Sequence, residues 1–111
     1  MGRLESIDGT NWQEFIAAPR AVLMLSKTDC ENCAAWTKEL TGFLESDLEY
    51  ADVRFGKMVL NQPGLIEFKK SNPWLADVDV LPFNVIYVGG QRVKSFAGGG
   101  LERLTNRLAR V

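Results

Sequence analysis

Apolar and polar residues change their period several times along this chain, and each change marks an element. Ala21 to Leu25, closed by Ser26, is a short apolar run that predicts a strand buried on both faces. From Cys30 onward, Cys33, Trp36, Leu40, Phe43 and Leu44 follow at steps of 3, 4, 3 and 1, one stripe of an amphipathic helix. Lys38, Glu39 and Glu45 fall mostly outside the stripe, and Gly42 marks a weak point where the helix is free to bend. Leu101, Leu104, Leu108 and Val111 repeat at 3, 4 and 3, which predicts a last helix whose outer face carries Glu102, Arg103, Asn106, Arg107 and Arg110.

Thr10 and Gln13 have the spacing of a capping box, so a first helix is expected over residues 10–18, with Trp12, Phe15 and Ile16 on one face and Pro19 as its stop. Tyr50 to Leu60 alternates through Ala51, Val53 and Phe55 and predicts a second strand, broken near Gly56. Pro63-Gly64 opens a third helix anchored by Leu65, Ile66 and Phe68, and Asn72-Pro73 stops it. Val85–Val88 and Arg92–Phe96, separated by Gly89-Gly90-Gln91, read as a hairpin. The expected order is α-β-α-β-α-β-β-α. Strand–helix–strand at the front implies a right-handed parallel crossover, and the hairpin adds antiparallel strands. The fold class is α/β, with a mixed sheet of about four strands flanked by about four helices.

Composition narrows the function. The chain has 111 residues, the length of one domain spanning 1–111. With 46% hydrophobic and 24% charged residues it needs no disulfide or metal staple to fold. Thirteen basic residues against fourteen acidic ones leave a net charge of −1, which offers no overall basic character for nucleic acid. There is no histidine, which removes Ser-His-Asp and Cys-His catalysis and every zinc site that uses imidazole. Ala21–Leu25 is far shorter than the roughly 20 residues of a membrane span. Residues 1–10 hold Arg3, Glu5 and Asp8 and no apolar stretch of the secretory kind, so a cytoplasmic location is expected. Met1-Gly2-Arg3-Leu4-Glu5-Ser6 fits the loose pattern for N-myristoylation, a pattern short enough to occur by chance.

The two cysteines both lie in Cys30-Glu31-Asn32-Cys33, after a buried strand and a Lys27-Thr28-Asp29 turn, at the start of a helix. A helix N-terminus presents free N–H groups and about half a positive charge, and both stabilise a thiolate. Cys30 is placed to attack a disulfide, and Cys33, one turn on, to resolve the mixed disulfide. The bland alternative is a pair of core cysteines that happen to be three apart. Zinc would need a second pair or a histidine to complete its tetrahedron, so no metal is expected.

From Trp12 to Leu108 the chain resembles the thioredoxin superfamily. Four matches carry the resemblance: Cys30-Glu31-Asn32-Cys33 after the strand; Asn61-Gln62-Pro63-Gly64 after the next strand; Val80-Leu81-Pro82 just before the strand Asn84–Val88; and Val88-Gly89-Gly90-Gln91-Arg92-Val93 with Phe96, a glycine stretch and a terminal helix. The resemblance implies a thioredoxin-like fold, Cys30 as attacking and Cys33 as resolving cysteine, and a cis Pro82 lying against the disulfide. Leu81 would then offer its N–H and C=O to an extended substrate. The chain departs from the family in three places. Asp29-Cys30-Glu31-Asn32-Cys33 replaces Trp-Cys-Gly-Pro-Cys, Met24 stands where the family has a buried Asp, and Phe83 where thioredoxins often have Thr. Lys57 matches the family's lysine without its usual acidic partner.

Asp29 and Glu31 flank the attacking sulfur. As caps they would favour the helix N-terminus, yet at ~7 Å and an effective dielectric near 40 each would also cost a thiolate on the order of 1 kcal/mol. That makes the dithiol a better reductant and a slower nucleophile. Trp74, after Pro73, is a core residue by default; its functional reading is a substrate-binding aromatic beside the Leu81-Pro82 loop. The expectation is a monomeric thiol–disulfide oxidoreductase of the cell's redox homeostasis, working as a reductase. It has no cofactor beyond a Cys30–Cys33 disulfide, and its partners are a protein disulfide and a recycling reductase, with no nucleic acid and no membrane. The alternative is a thioredoxin-fold binding or redox-sensing domain with little general activity.

Overall fold

The computed structural model describes residues 2–111; Met1, the first position of the lipidation pattern, lies outside them. A five-stranded sheet runs in the order β1-β3-β2-β4-β5. The strands are β1 (Leu4–Ile7), β2 (Arg20–Ser26), β3 (Arg54–Val59), β4 (Phe83–Val88) and β5 (Gln91–Ala97). β1, β3 and β2 are parallel; β4 runs antiparallel to β2, and β5 to β4. The helices are α1 (Trp12–Ile16), α2 (Glu31–Ser46), α3 (Ile66–Ser71) and α4 (Leu101–Leu108), with a 3-10 turn over Pro73–Asp77. A mixed α/β sheet was expected; five strands replace about four, because β1 escaped the pattern. Leu-Glu-Ser-Ile does not alternate and only Ile7 is fully buried, so this edge strand is defined by its partner, with Leu4 opposite Phe55 and Ile7 opposite Met58. Arg54 of β3 ties the edge down, bonding Glu5 at 2.9 and 2.6 Å and pairing with Glu14 of α1.

The sheet separates two apolar layers. Val22, Met24, Phe55, Ile86 and Phe96 face Trp36, Leu40 and Leu44 of α2 and Leu104 and Leu108 of α4. Leu23, Leu25, Met58, Val85 and Tyr87 face Trp12 and Phe15 of α1 and Phe68 of α3. Alternation along β2 and β4 sends successive side chains to opposite layers, and the wholly apolar β2 is the result. Each fully buried Leu or Phe contributes roughly 1.5–3 kcal/mol.

Four local expectations are corrected. Thr10 and Gln13 form no capping box: α1 starts at Trp12, and Thr10 instead donates its N–H and hydroxyl to Asp8 Oδ1 at 2.8 and 2.6 Å, while Asp8 N–H donates to Asn11. These local side-chain bonds hold the turn outside the helix. The second strand starts at Arg54, because residues 47–53 are folded into a turn. Asp47 accepts from the N–H groups of Glu49 and Tyr50, and Arg3 donates to the carbonyls of Tyr50 and Val53. β3 is unbroken at Gly56; a Cβ there would lie 2.6 Å from Ile7 and 2.8 Å from Phe15, so the glycine is the space into which α1 and β1 pack. Ile66 anchors nothing and is 70% exposed, since Leu65 and Phe68 already define the inward side of α3.

Candidate functional site

The apolar β2 ends at the buried Ser26, and the exposed turn Lys27–Asp29 carries the chain to α2. Asp29 takes a left-handed backbone, φ 57°, which an Asp accommodates better than a branched residue. Cys30 follows in extended conformation as the N-cap of α2, and its Sγ accepts the Cys33 N–H at 3.2 Å. The sulfur thus occupies the place of the usual cap oxygen, inside the positive field of a 16-residue helix. Cys30 and Cys33 are joined as a disulfide, with Cα atoms 5.2 Å apart. The helical stripe explains their unequal access: Cys33 is 1% exposed, whereas Cys30, off the stripe, is only half-buried.

Leu81 and Pro82 approach from the loop before β4. Their peptide bond is cis, Pro82 is buried, and the Leu81 carbonyl oxygen lies 4.0 Å from Cys30 Sγ. On one side of the disulfide, Asp29, Glu31, Ser26 and Lys57 border a shallow depression together with both cysteines. On the other, Asn32, Trp36 and Glu39 of α2 face Val80, Leu81 and Gly98–Gly100 across a groove of about 380 Å³. Gly99 fits there because a Cβ would come within 3.1 Å of the Trp36 ring.

The structure therefore brings together Cys30, Cys33, Asp29, Glu31, Leu81 and Pro82. It does not bring Trp74 among the residues that line either depression. That indole lies beside Phe83, ring centres 6.3 Å apart, donates to Asn72 Oδ1 at 3.1 Å, and carries the Arg92 guanidinium 4.4 Å from its ring centre. Met24 is completely buried opposite Lys57 of β3 and Asn84 of β4, in the same layer as Trp36, so a thioether stands where the family resemblance places a carboxylate. Among the described residues no group of three or more Cys, Asp or Glu side chains is placed to hold a metal ion, and no helix is long and apolar enough to cross a membrane.

One residue of the site went unread in the sequence. Asn84, fully buried, accepts from Trp36 Nε1 at 2.8 Å and donates to the carbonyls of Gly98 at 2.7 Å and Phe96 at 3.3 Å. It thereby ties α2 to the glycine wall of the groove. An Asn at the head of the apolar run Val85–Val88 was the available signal.

No protein-family profile matches this chain, and no curated protein matches it. Solved structures do. Thioredoxin f2 of Chlamydomonas reinhardtii is 21% identical, with 96% of this chain and 94% of that one aligned at a TM-score of 0.76. Spinach chloroplast thioredoxin f (short form) is 23% identical, covering 99% and 96%, TM-score 0.75. Oxidised mitochondrial thioredoxin 3 of Saccharomyces cerevisiae is 20% identical, covering 97% and 95%, TM-score 0.74. A thioredoxin f2 in complex with ferredoxin:thioredoxin reductase is similar at 21% identity, covering 97% and 96%, TM-score 0.76. Aligned over nearly its whole length with these proteins, and with a Cys-x-x-Cys disulfide at the start of α2, the chain has the thioredoxin fold.

Proposed function

We propose that the chain is a thiol–disulfide oxidoreductase that reduces protein disulfides through Cys30 and Cys33. The observation that carries this reading is the half-buried Cys30 Sγ, capping α2 and lying 4.0 Å from the Leu81 carbonyl while its partner sulfur is sealed beneath. In the reduced protein, the Cys30 thiolate attacks one sulfur of a substrate disulfide. A mixed disulfide forms, and the other substrate sulfur leaves as a thiolate. Cys33 then attacks Cys30 Sγ, the internal disulfide forms, and the second substrate thiol departs. Two electrons pass to the substrate and two protons make up its thiols. Helix N–H groups hold the negative charge on Cys30 during attack, and the Leu81 backbone with Pro82 forms the rail for an extended substrate segment.

The cycle needs an external reductase to reopen Cys30–Cys33. The similar thioredoxin f2 that binds ferredoxin:thioredoxin reductase supports a protein in that role. The same reading places a monomer in a reducing compartment, the cytoplasm, where a lone cysteine pair is used for catalysis rather than as a staple.

A second reading, a binding or redox-sensing domain, is favoured by Met24: among the described residues the buried polar or charged ones are Ser26 and Asn84, so no buried carboxylate is available to take the Cys33 proton. Insulin reduction driven by dithiothreitol separates the two. The reductase reading expects turnover that Cys30→Ser abolishes and Cys33→Ser halts at a trapped mixed disulfide. A rate no faster than dithiothreitol alone selects the binding domain.

A further inference from the structure

The near-neutral net charge conceals a separation. Residues 91–111 carry five basic side chains, Arg92, Lys94, Arg103, Arg107 and Arg110, against one acidic, Glu102; residues 1–90 carry eight basic and thirteen acidic. Arg92 lies over Trp74 on the other face of the sheet, and the fold gathers the remaining four along one flank. α4 follows directly on Gly100, a wall of the groove beside Leu81, and runs away from it beside β5. Arg103 stands at the groove end, donating to the carbonyls of Ala97 at 2.7 Å and Gly99 at 3.2 Å. Arg107 and Arg110 follow at the helical spacing, and Lys94 joins them with Asn106 around an open surface hollow of about 340 Å³.

These cations lack carboxylate partners: every salt bridge among the described residues uses Arg3, Arg20 or Arg54. Arg103 and Arg107 are nonetheless held in place, their guanidinium carbons 4.9 and 4.7 Å from the Phe96 ring centre and Arg107 bonded to the Arg103 carbonyl at 3.0 Å. Stacking and carbonyl bonds orient the two side chains without neutralising them.

We propose that this strip is the electrostatic docking surface for an acidic face of the disulfide partner, which lies along α4 while its disulfide reaches Cys30. The inference rests on the disulfide-exchange reading above. Continuity with the groove argues for a protein partner. The strip is short, and the exposed Glu39 in the groove, with Asp29 and Glu31 in the depression beside the disulfide, would repel a phosphate backbone that ran on past it. Those same carboxylates make the docking polar, favouring acidic substrate only on the α4 side.

The test uses the reduced Cys33→Ser protein and peptides whose single cysteine is activated as a mixed disulfide with thionitrobenzoate. Cys30 thiolate attacks the peptide sulfur, that S–S bond forms, and thionitrobenzoate leaves with the electron pair and is read by absorbance. Peptides carry a short Gly-Ser spacer and six Glu, six Gln or six Lys, placed on either side of the cysteine. The strip expects Glu to outrun Gln on the order of tenfold at low salt in one of the two orders, with Lys slowest. The preference should collapse near 1 M salt, where the Debye length is about 3 Å. It should vanish in Lys94→Gln/Arg107→Gln/Arg110→Gln, and weaken in Lys94→Gln/Arg110→Gln, which leaves the Phe96 stack intact. Equal rates for Glu and Gln in both orders, or a preference that survives the triple variant, would overturn the strip. So would tighter binding of a single-stranded oligonucleotide than of the Glu peptide, lost in the triple variant, which would assign the strip to nucleic acid. Exchange requires only a reachable Cys30, so a Glu preference without insulin reduction removes the reductase reading alone, and insulin reduction without a preference removes the strip alone.

Discussion

Trp36 Nε1 donates to Asn84 Oδ1 at 2.8 Å in a part of the core from which solvent is excluded. The bond joins the first turns of α2 to β4, and through Asn84 Nδ2 to the Gly98 carbonyl at the groove wall. Asn84→Val removes the acceptor of the indole N–H and the side-chain donor to the Gly98 and Phe96 carbonyls, so it should cost roughly 2–4 kcal/mol. Trp36→Phe should cost a similar amount, and the double variant less than the two added, since they share one network. Urea midpoints of the four proteins measure this. A loss below about 1 kcal/mol in Asn84→Val would mean that the amide holds nothing together.

Tyr87 carries the opposite kind of polar group. Its hydroxyl is buried with no hydrogen-bond partner among the described residues, and burial pushes its pKa up to about 12, with Arg92 pulling slightly downward. Tyr87→Phe should therefore leave stability unchanged or raise it by about 1 kcal/mol at neutral pH. The pH dependence has a definite sign. Between about pH 10, where an unfolded Tyr ionises, and pH 12, the unfolded chain has lost a proton that the folded one keeps. Stability then falls by roughly 1.4 kcal/mol per pH unit. Tyr87→Phe should flatten that alkaline loss, with Tyr50, also pushed up by burial, accounting for the remainder. Equal alkaline slopes in wild type and variant would place the effect elsewhere.

Asp47 contributes to the acid sensitivity of the fold. Burial pushes its carboxyl up, but the Arg3 guanidinium at 3.0 Å and the N–H groups of Tyr50 and Glu49 outweigh burial and hold it below the usual range. A depressed folded pKa contributes stability that is present above the unfolded value of about 3.9 and lost as pH falls through the folded one. Asp47→Asn should cost about 1 kcal/mol at pH 7, and the cost should shrink progressively as the pH falls below about 4. Thermal midpoints across that range check it, and a difference that does not shrink with falling pH would point to packing instead.

The acidic flank of Cys30 is expected to tune its chemistry. Asp29 and Glu31 border the same depression as both sulfurs. Asp29→Asn with Glu31→Gln removes up to ~1 kcal/mol of repulsion per charge, less where water screens it. The double variant should alkylate faster at Cys30 near neutral pH and be the more oxidising protein, because a stabilised thiolate favours the dithiol form. Both differences should shrink with added salt. Slower alkylation in the variant would show that the carboxylates serve α2 and not the sulfur.

Much of the fold was legible because its strongest signals are local. The apolar run of β2, the 3-4-3 stripe of α2 and α4, and the glycine pair of the hairpin each follow from burial of one face by a regular backbone. Cys30 and Cys33 were legible for the same reason: three residues apart at a helix start, they meet whatever the rest of the chain does. β1, the turn at residues 47–53 and the unbroken β3 at Gly56 were not, since each depends on residues far along the chain: Phe55 and Met58 for β1, Arg3 for the turn, Ile7 and Phe15 for the glycine.

What the amino-acid order alone determined was therefore the α/β class, the helical stripes and the cysteine pair with its acidic neighbours. Packing across the sheet decided the rest. It placed the Leu81 carbonyl beside Cys30, 51 positions away, and turned the partnerless Asn84 of the sequence into the link between Trp36 and Gly98. It also set Trp74 against Phe83 and under Arg92, and lined the late cations along one flank of α4. The physical reason is range: backbone periodicity acts over a turn or two of chain, whereas a polar atom inside the core finds its partner only when two layers close on it.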